Sequence, residues 1–222
     1  MKHITFYLDF ISPYAYLAFE QLPKALQGIS YSVDYKPVLF AAMLKHHGQL
    51  GPAEIAPKRD WTYRQVMWLA DKLGVPMCMP VSHPFNPLPL LRLALSCCGQ
   101  EGSAVCSTNR YVCEQIFKHV WTSGADVADL LQLAAVQAQL KPRLDPDSLA
   151  VKNSLKTNTD TAVSCGVFGV PAFGVDDKVF WGLDALPMLR DYLQAASWFE
   201  AGGWTNSCLV AEGAVRARAQ RA

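Results

Sequence analysis

The feature that most constrains this chain is the place where its first alternating run stops. From His3 to Phe10 the side chains Ile4, Phe6, Leu8 and Phe10 fall on one side, and His3, Thr5, Tyr7 and Asp9 on the other. That is the period of a β-strand. Two residues later stands Ser12-Pro13, followed by an apolar-periodic stretch that runs to Gln27 and stops at Gly28. Proline suits a first helical position because its missing N–H would have had no intrahelical acceptor, and serine is a favoured residue just before it. A strand therefore passes into a helix with almost no loop. Tyr31, Val33 and Tyr35 then alternate with Ser32, Asp34 and Lys36 until Pro37 ends the run. The opening reads β-α-β, which requires parallel neighbouring strands.

The middle of the chain reads as helices. A short one is expected around Leu39–His46, then a turn-rich loop, then a helix carrying Val66, Leu69, Ala70 and Leu73 that ends at Gly74. A Pro-rich loop between Pro80 and Pro89 precedes helices marked by Leu91, Ala94, Leu95 and Cys98, and by Cys113, Ile116, Phe117, Val120 and Trp121. Asp126 is expected to cap another, with Val127, Leu130, Leu131 and Ala134 buried, and Asp147 one reaching Cys165. Strands return after Gly169-Val170-Pro171. Ala172–Val175 and Lys178–Trp181 flank Asp176-Asp177 as a hairpin, and Asp184 stands where it would cap a last helix. Val170-Pro171 is a candidate cis peptide.

A parallel β-α-β closed by an antiparallel hairpin and helix is the thioredoxin arrangement. The fold class is α/β, a thioredoxin-like fold with a large all-helical insertion. Residues 1–58 and 147–205 form the thioredoxin-like domain, 59–146 the inserted helical domain, and 206–222 a weakly ordered tail carrying Arg216, Arg218 and Arg221, with Trp198, Phe199 and Trp204 as its means of docking.

Composition excludes several function classes. Hydrophobic residues make up 51% and charged ones 18%, with net charge +1 and no basic stripe, so nucleic acid is not an expected partner. No apolar run reaches the ~18–20 residues of a membrane span. Asp9 interrupts the region a signal peptide would keep apolar, so a cytoplasmic location is expected. The seven cysteines are odd in number and include no C-x-x-C, which suits reduced, mostly buried thiols. The adjacent His46 and His47 point about 100° apart on a helix, and no metal is expected.

Ser12 is the candidate to carry the chemistry. Serine at a helix start is ordinary capping. It also lies at the carboxyl end of the first strand, the side where open α/β sheets bind ligands. In a thioredoxin fold that turn faces the proline after Val170 across one cleft. A helix N-terminus there favours an anion.

Five stretches extend this reading: D-F-I-S-P-Y-A-Y-L (9–17), G-Q-L-G-P-A-E-I-A-P-K-R-D-W (48–61), S-H-P-F-N-P-L-P-L-L-R-L-A-L (82–95), G-V-F-G-V-P-A-F (166–173) and F-W-G-L-D-A-L-P-M-L (180–189). Together they resemble the bacterial 2-hydroxychromene-2-carboxylate isomerases, relatives of kappa-class glutathione transferases and more distantly of DsbA-type disulfide oxidoreductases. The resemblance runs from the first strand to the last helix. Where the oxidoreductases carry C-x-x-C, this chain has Ser12-Pro13-Tyr14-Ala15, so it lacks the thiols for mixed-disulfide exchange.

The resemblance implies glutathione as cofactor, a small aromatic carboxylate as substrate, and a homodimer. Ser12 would hold the glutathione thiolate. Val170, beside Pro171, would pair with the tripeptide backbone as an added strand does. Trp181, Gly182, Leu183 and Asp184 would hold the γ-glutamyl end, and Gln49 stands where relatives use Asn. Lys45, Lys58, Arg59 and Asn86 would meet the substrate carboxylate, with Tyr14, Trp61, Trp68 and Phe85 as aromatic walls or as packing. The implied activity is glutathione-dependent cis–trans isomerisation in aromatic catabolism. The alternatives are a kappa-like transferase or peroxidase, and a non-catalytic module that keeps the glutathione cleft.

Overall fold

A computed structural model describes residues 1–98, 107–211 and 213. Strand β1 (Lys2–Leu8) runs parallel to β2 (Tyr31–Pro37) through helix α1 (Pro13–Ala25), and the hairpin β3 (Ala172–Val175) and β4 (Lys178–Trp181) joins antiparallel on the other side of β1. The sheet order is β2-β1-β3-β4. Phe6 pairs with Tyr35 on one side and Phe173 on the other, and the three rings meet within the sheet face. Ile4, Phe6, Leu8 and Phe10 are fully buried in one cluster, while Tyr7 is buried on the opposite face. Strand alternation in the sequence thus maps onto the two faces of the sheet.

Between β2 and β3 come α2 (Phe40–His47), α3 (Ala56–Leu73), α4 (Leu88–Ser96), α5 (Arg110–Trp121), α6 (Leu130–Leu140) and α7 (Leu149–Ser164). They do not build a separate core. Val66, Leu91, Ile116, Phe117 and Trp121 belong to the same buried cluster as Ile4, Phe6 and Phe19. Trp121 fixes the junction: it is fully buried and its Nε1–H donates to the Phe10 carbonyl at 3.0 Å, just before the turn that delivers Ser12. Truncating a buried Trp of this kind costs about 3–5 kcal/mol.

Several helix starts differ from the expectation. Asp129, not Asp126, caps α6, accepting from Leu131 N at 2.8 Å; Asp126 accepts from Ala128 N in the preceding turn. The shift turns the helix, so Leu133, Val136 and Leu140 face the core while Leu130 and Leu131 are about four-fifths exposed and Ala134 is exposed. Ser148 rather than Asp147 caps α7, and Asp147 instead pairs with Arg92 at 3.0 Å. After β4, Asp184 lies inside a single 3₁₀ turn, Leu183–Ala185, and does not cap α8 (Leu186–Leu193). Two short helices, α9 (Ser197–Glu200) and α10 (Gly203–Asn206), follow. Their Phe199 and Trp204 pack on Phe180, and Phe199 also on Tyr192, so the chain is docked to Asn206. The three tail arginines lie outside the described residues.

The cysteines also depart from the expectation. Among the free cysteines of the described residues only Cys113 is buried; Cys78, Cys165 and Cys208 are exposed and Cys97 is half-buried. Cys98 is disulfide-bonded, so the set is not wholly reduced. Cys106 lies outside the described residues. Among those residues no helix is long and apolar enough to cross a membrane, and no group of three metal-ligating side chains comes together.

Candidate functional site

A cleft of about 1350 Å³ opens where the carboxyl end of β1, the start of α1, the start of β3 and the turn after β4 converge. Its far wall is α3 and the Pro-rich loop before α4. Ser12 sits on its floor, 7% exposed. The serine is in extended conformation, and its Oγ accepts from Ala15 N at 3.2 Å while its O–H donates to the Val170 carbonyl at 3.4 Å. One hydroxyl thus caps α1 and bridges to the opposite strand. Pro13 has no N–H, so Tyr14 carries the first free donor of the helix, beside a fixed partial positive charge. Val170-Pro171 is cis, as the sequence suggested.

The rest of the cleft follows from local backbone demands. Gly169 is needed for close approach, because a Cβ there would lie 2.7 Å from Trp181 Nε1. Trp181 is half exposed at the mouth and packs against Phe168, ring centroids 4.9 Å apart. Gly182 takes φ +102, a conformation L-residues rarely adopt, and its N–H donates to the Pro171 carbonyl at 2.9 Å. That bend turns Leu183 and Asp184 into the cleft. Across from them, Tyr14 donates its hydroxyl to Gln65 at 2.6 Å; burial, with the Asp184 charge adding, raises its pKa.

Ser12, Gln49, Lys58, Arg59, Val170, Pro171, Trp181, Gly182, Leu183 and Asp184 all line this one cleft, with Tyr14, Trp61 and Phe85. Three residues named from the sequence lie elsewhere. Asn86 is spent on the chain itself, its Oδ1 accepting from Leu88 N at 3.1 Å at the start of α4. Lys45 and Trp68 are exposed and outside the lining.

Two lining residues with no role assigned from the sequence hold the Ser12 turn in place. Asp9 is fully buried beneath the Ser12 turn, its two oxygens accepting from Ile11 N at 3.2 Å and Phe40 N at 3.0 Å. Burial pushes its pKa up to about 7, with these N–H donors pulling the other way. The only sequence signal was a carboxylate in an otherwise apolar strand end. His83, from the S-H-P-F stretch, sits beside a second cis proline. Its Nε2 lies 2.8 Å from the Ile11 carbonyl and its Nδ1 2.8 Å from the Tyr63 hydroxyl. The Ile11 carbonyl requires a donor, so Nε2 carries the hydrogen, and the single Tyr63 hydroxyl hydrogen is shared between Nδ1 and the His83 carbonyl, both 2.8 Å away. Burial lowers the His83 pKa and keeps the ring neutral. Together Asp9 and His83 tie the Ser12 turn to α2 and to the insertion.

Comparison with known proteins meets this geometry. The model of the DSBA-like thioredoxin domain matches residues 3–194. A 2-hydroxychromene-2-carboxylate isomerase of Sphingobium xenophagum is 30% identical over 201 residues, covering 86% of this chain and 98% of the relative. The chain belongs to the 2-hydroxychromene-2-carboxylate isomerase family of DSBA-like thioredoxin domains. Glutathione S-transferase kappa 2 of Caenorhabditis elegans is 26% identical, covering 86% of this chain and 92% of that protein. A solved 2-hydroxychromene-2-carboxylate isomerase superposes with a TM-score of 0.72 at 25% identity, over 90% of this chain and 98% of that one. The cytosolic disulfide reductase DsbM of Pseudomonas aeruginosa, 15% identical with a TM-score of 0.55 over 91% of this chain and 99% of its own, shares the fold. Members of this family are related both to isomerases and to kappa-class glutathione transferases, which makes this chain a relative of enzymes.

Proposed function

We propose that this family member is a glutathione-dependent cis–trans isomerase acting on a small aromatic carboxylate of the 2-hydroxychromene-2-carboxylate kind. The observation that carries the reading is the Ser12 hydroxyl, held at the α1 N-terminus against the Val170 carbonyl in a slot without cysteine. A thiol with pKa near 8.5 is only ~3% ionised at pH 7, and lowering it by ~2 units raises that to roughly 75%. Ser12, the Tyr14 N–H and the helix dipole are placed to do this for a thiol brought from outside. Val170 presents main-chain groups for the cofactor's backbone, and Asp184 a carboxylate for its amino group. Lys58 and Arg59 in the first turn of α3 supply cations for the substrate carboxylate. The names of the kappa-class relatives support glutathione as cofactor.

In the proposed reaction the thiolate sulfur adds to the conjugated ring-opened substrate. A C–S bond forms, the attacked C=C becomes single, and its electron pair moves to the conjugated carbonyl oxygen. Rotation follows, the pair returns, and the thiolate leaves unchanged. Glutathione is regenerated. We place the enzyme in aromatic catabolism, in the cytoplasm and as a homodimer on the same reading.

A kappa-like transferase is the second reading, favoured by identities of 26% and 24% to kappa-class proteins. The two differ in thiol balance. Incubating the purified protein with 2-hydroxychromene-2-carboxylate and glutathione should give conversion that requires glutathione with no loss of free thiol. Stoichiometric thiol loss establishes the transferase instead, and conversion without glutathione removes the cofactor from the account.

A further inference from the structure

Helix α3 turns one face to the cleft, and Lys58, Thr62, Gln65 and Leu69 follow one another along it at helical spacing. Lys58 and Arg59, in the first turn, are the cations of the proposed function. Gln65 is two turns further on, about 10 Å along the axis. Its Oε1 accepts from the Tyr14 hydroxyl at 2.6 Å. That separation belongs to an O–H···O bond and is short for N–H···O, so the oxygen of the amide is the atom that faces the phenol. Burial raises the Tyr14 pKa and keeps the phenol protonated; the Thr62 hydroxyl beside it pulls the other way without reversing the direction. Tyr14 is therefore a standing donor that holds the Gln65 amide one way round.

With Oε1 committed, the two Nε2 hydrogens lie on the opposite side of the planar amide. They meet no acceptor among the described residues, and Nε2 is not sealed from solvent as Gln21 Nε2 is. The cleft thus offers one neutral, oriented donor two turns away from its cations, and that spacing sorts the ends of a ligand. The carboxylate of the proposed substrate goes to Lys58 and Arg59. In the ring-opened form the keto oxygen is the immediate neighbour of that carboxylate, so it stays at the same end. The polar group at the other end is the hydroxyl carried ortho on the aromatic ring. We propose that Gln65 is a specificity-determining residue whose Nε2 donates to this ortho-hydroxyl oxygen, with Tyr14 as the positioning residue behind it. This role rests on the isomerase reading and adds to it how the ring is recognised. A donor built to meet a hydroxyl discriminates against a ligand without one, because the amide is then left unpaired in the complex. An amide answered only by water would be free to turn over, whereas the Tyr14 bond fixes this one.

The test is the binding of three acids that differ only on the ring: trans-o-hydroxycinnamate, trans-m-hydroxycinnamate and trans-cinnamate. Their affinities are measured by calorimetry on the wild type, Gln65→Met and Tyr14→Phe, beside an assay of glutathione-dependent isomerisation. The ortho-hydroxy acid should bind the wild type about 10-fold more tightly than cinnamate, the scale of one hydrogen bond, and more tightly than the meta isomer. Gln65→Met should bring the ratio of ortho-hydroxy acid to cinnamate to about one. Tyr14→Phe should reduce it, because the amide loses the donor that holds it. If Gln65 serves only the packing of α3 on α1, Gln65→Met weakens all three acids together and leaves the ratio unchanged, which refutes the role. Equal binding of the ortho-hydroxy acid and cinnamate by a wild type that isomerises the chromene carboxylate overturns the role of Gln65 and leaves the function standing. Failure of all three acids to bind overturns the role as well, and absent isomerisation in the parallel assay then shows that the functional reading has failed with it.

Discussion

Asp9→Asn is the perturbation whose size the structure fixes best. The Asp9 carboxyl is fully buried and its pKa stands near 7, against about 3.9 for an ordinary Asp. The folded state therefore holds a proton that the unfolded chain releases between those values. Stability is fully present below about pH 4 and is lost as pH rises through 7. Across the whole window the loss is about 4 kcal/mol, and about 2.5 kcal/mol of it falls between pH 5 and pH 8. For a chain of this length that is roughly 5–10 °C in melting temperature. Asparagine cannot ionise, and its carbonyl still accepts from either Ile11 N or Phe40 N; its NH₂ leaves the other unmatched at a cost of about 1–3 kcal/mol. The Asp9→Asn variant should thus be the less stable protein at pH 5 and close to or above the wild type at pH 8. Thermal melts of both proteins every half pH unit read the difference directly, with other titrating groups cancelling. Parallel curves from pH 5 to 8 would show that the N–H donors outweigh burial and that Asp9 is ionised throughout.

Other expectations follow from single contacts. Gly182→Ala combines φ +102 with a Cβ directed at Asp184 Oδ1, and should cost about 1–3 kcal/mol in denaturant unfolding while weakening glutathione binding measured by calorimetry. His83 should titrate below the ordinary histidine value, visible in the pH dependence of its ring nitrogen shifts, because burial lowers its pKa. Its stabilising neutral state is complete above the ordinary value near 6.5 and is eroded as pH falls from there to the lower folded value. Tyr63→Phe removes a hydroxyl that stabilises the neutral ring, so it should move the folded pKa back toward the ordinary value and lower the sensitivity of stability to pH below 6.5.

The parts of this fold legible in sequence are those where one residue type has one structural use. Ser12-Pro13 marks a helix start because proline lacks an N–H, and Asp176-Asp177 between two β-prone runs marks a hairpin. Pro171 before β3 was readable as cis for the same reason. Less legible were choices among equivalent residues. Asp126 and Asp129 are equally good caps, and only tertiary packing of Leu133 and Val136 selects the second. Asn86 offers the same amide to a ligand or to its own backbone, and the Pro-rich loop settles it for the backbone. Asp9 and His83 were hidden for another reason. Their roles depend on Phe40, Ile11 and Tyr63, which come from separate elements, so no local spacing announces them.

The central claim is that Ser12 and the α1 N-terminus keep an external thiolate ionised, and it is tested by titrating glutathione bound to the protein. The thiolate absorbs near about 240 nm, so its pKa can be read while binding is followed separately by calorimetry. The account predicts a bound pKa about 2 units below that of free glutathione, reverting in Ser12→Ala together with a ~10²–10³-fold loss of isomerisation, the scale of one anion-stabilising donor. Glutathione that binds with its thiol pKa unchanged, or a Ser12→Ala protein that keeps the lowered value and full rate, would contradict it.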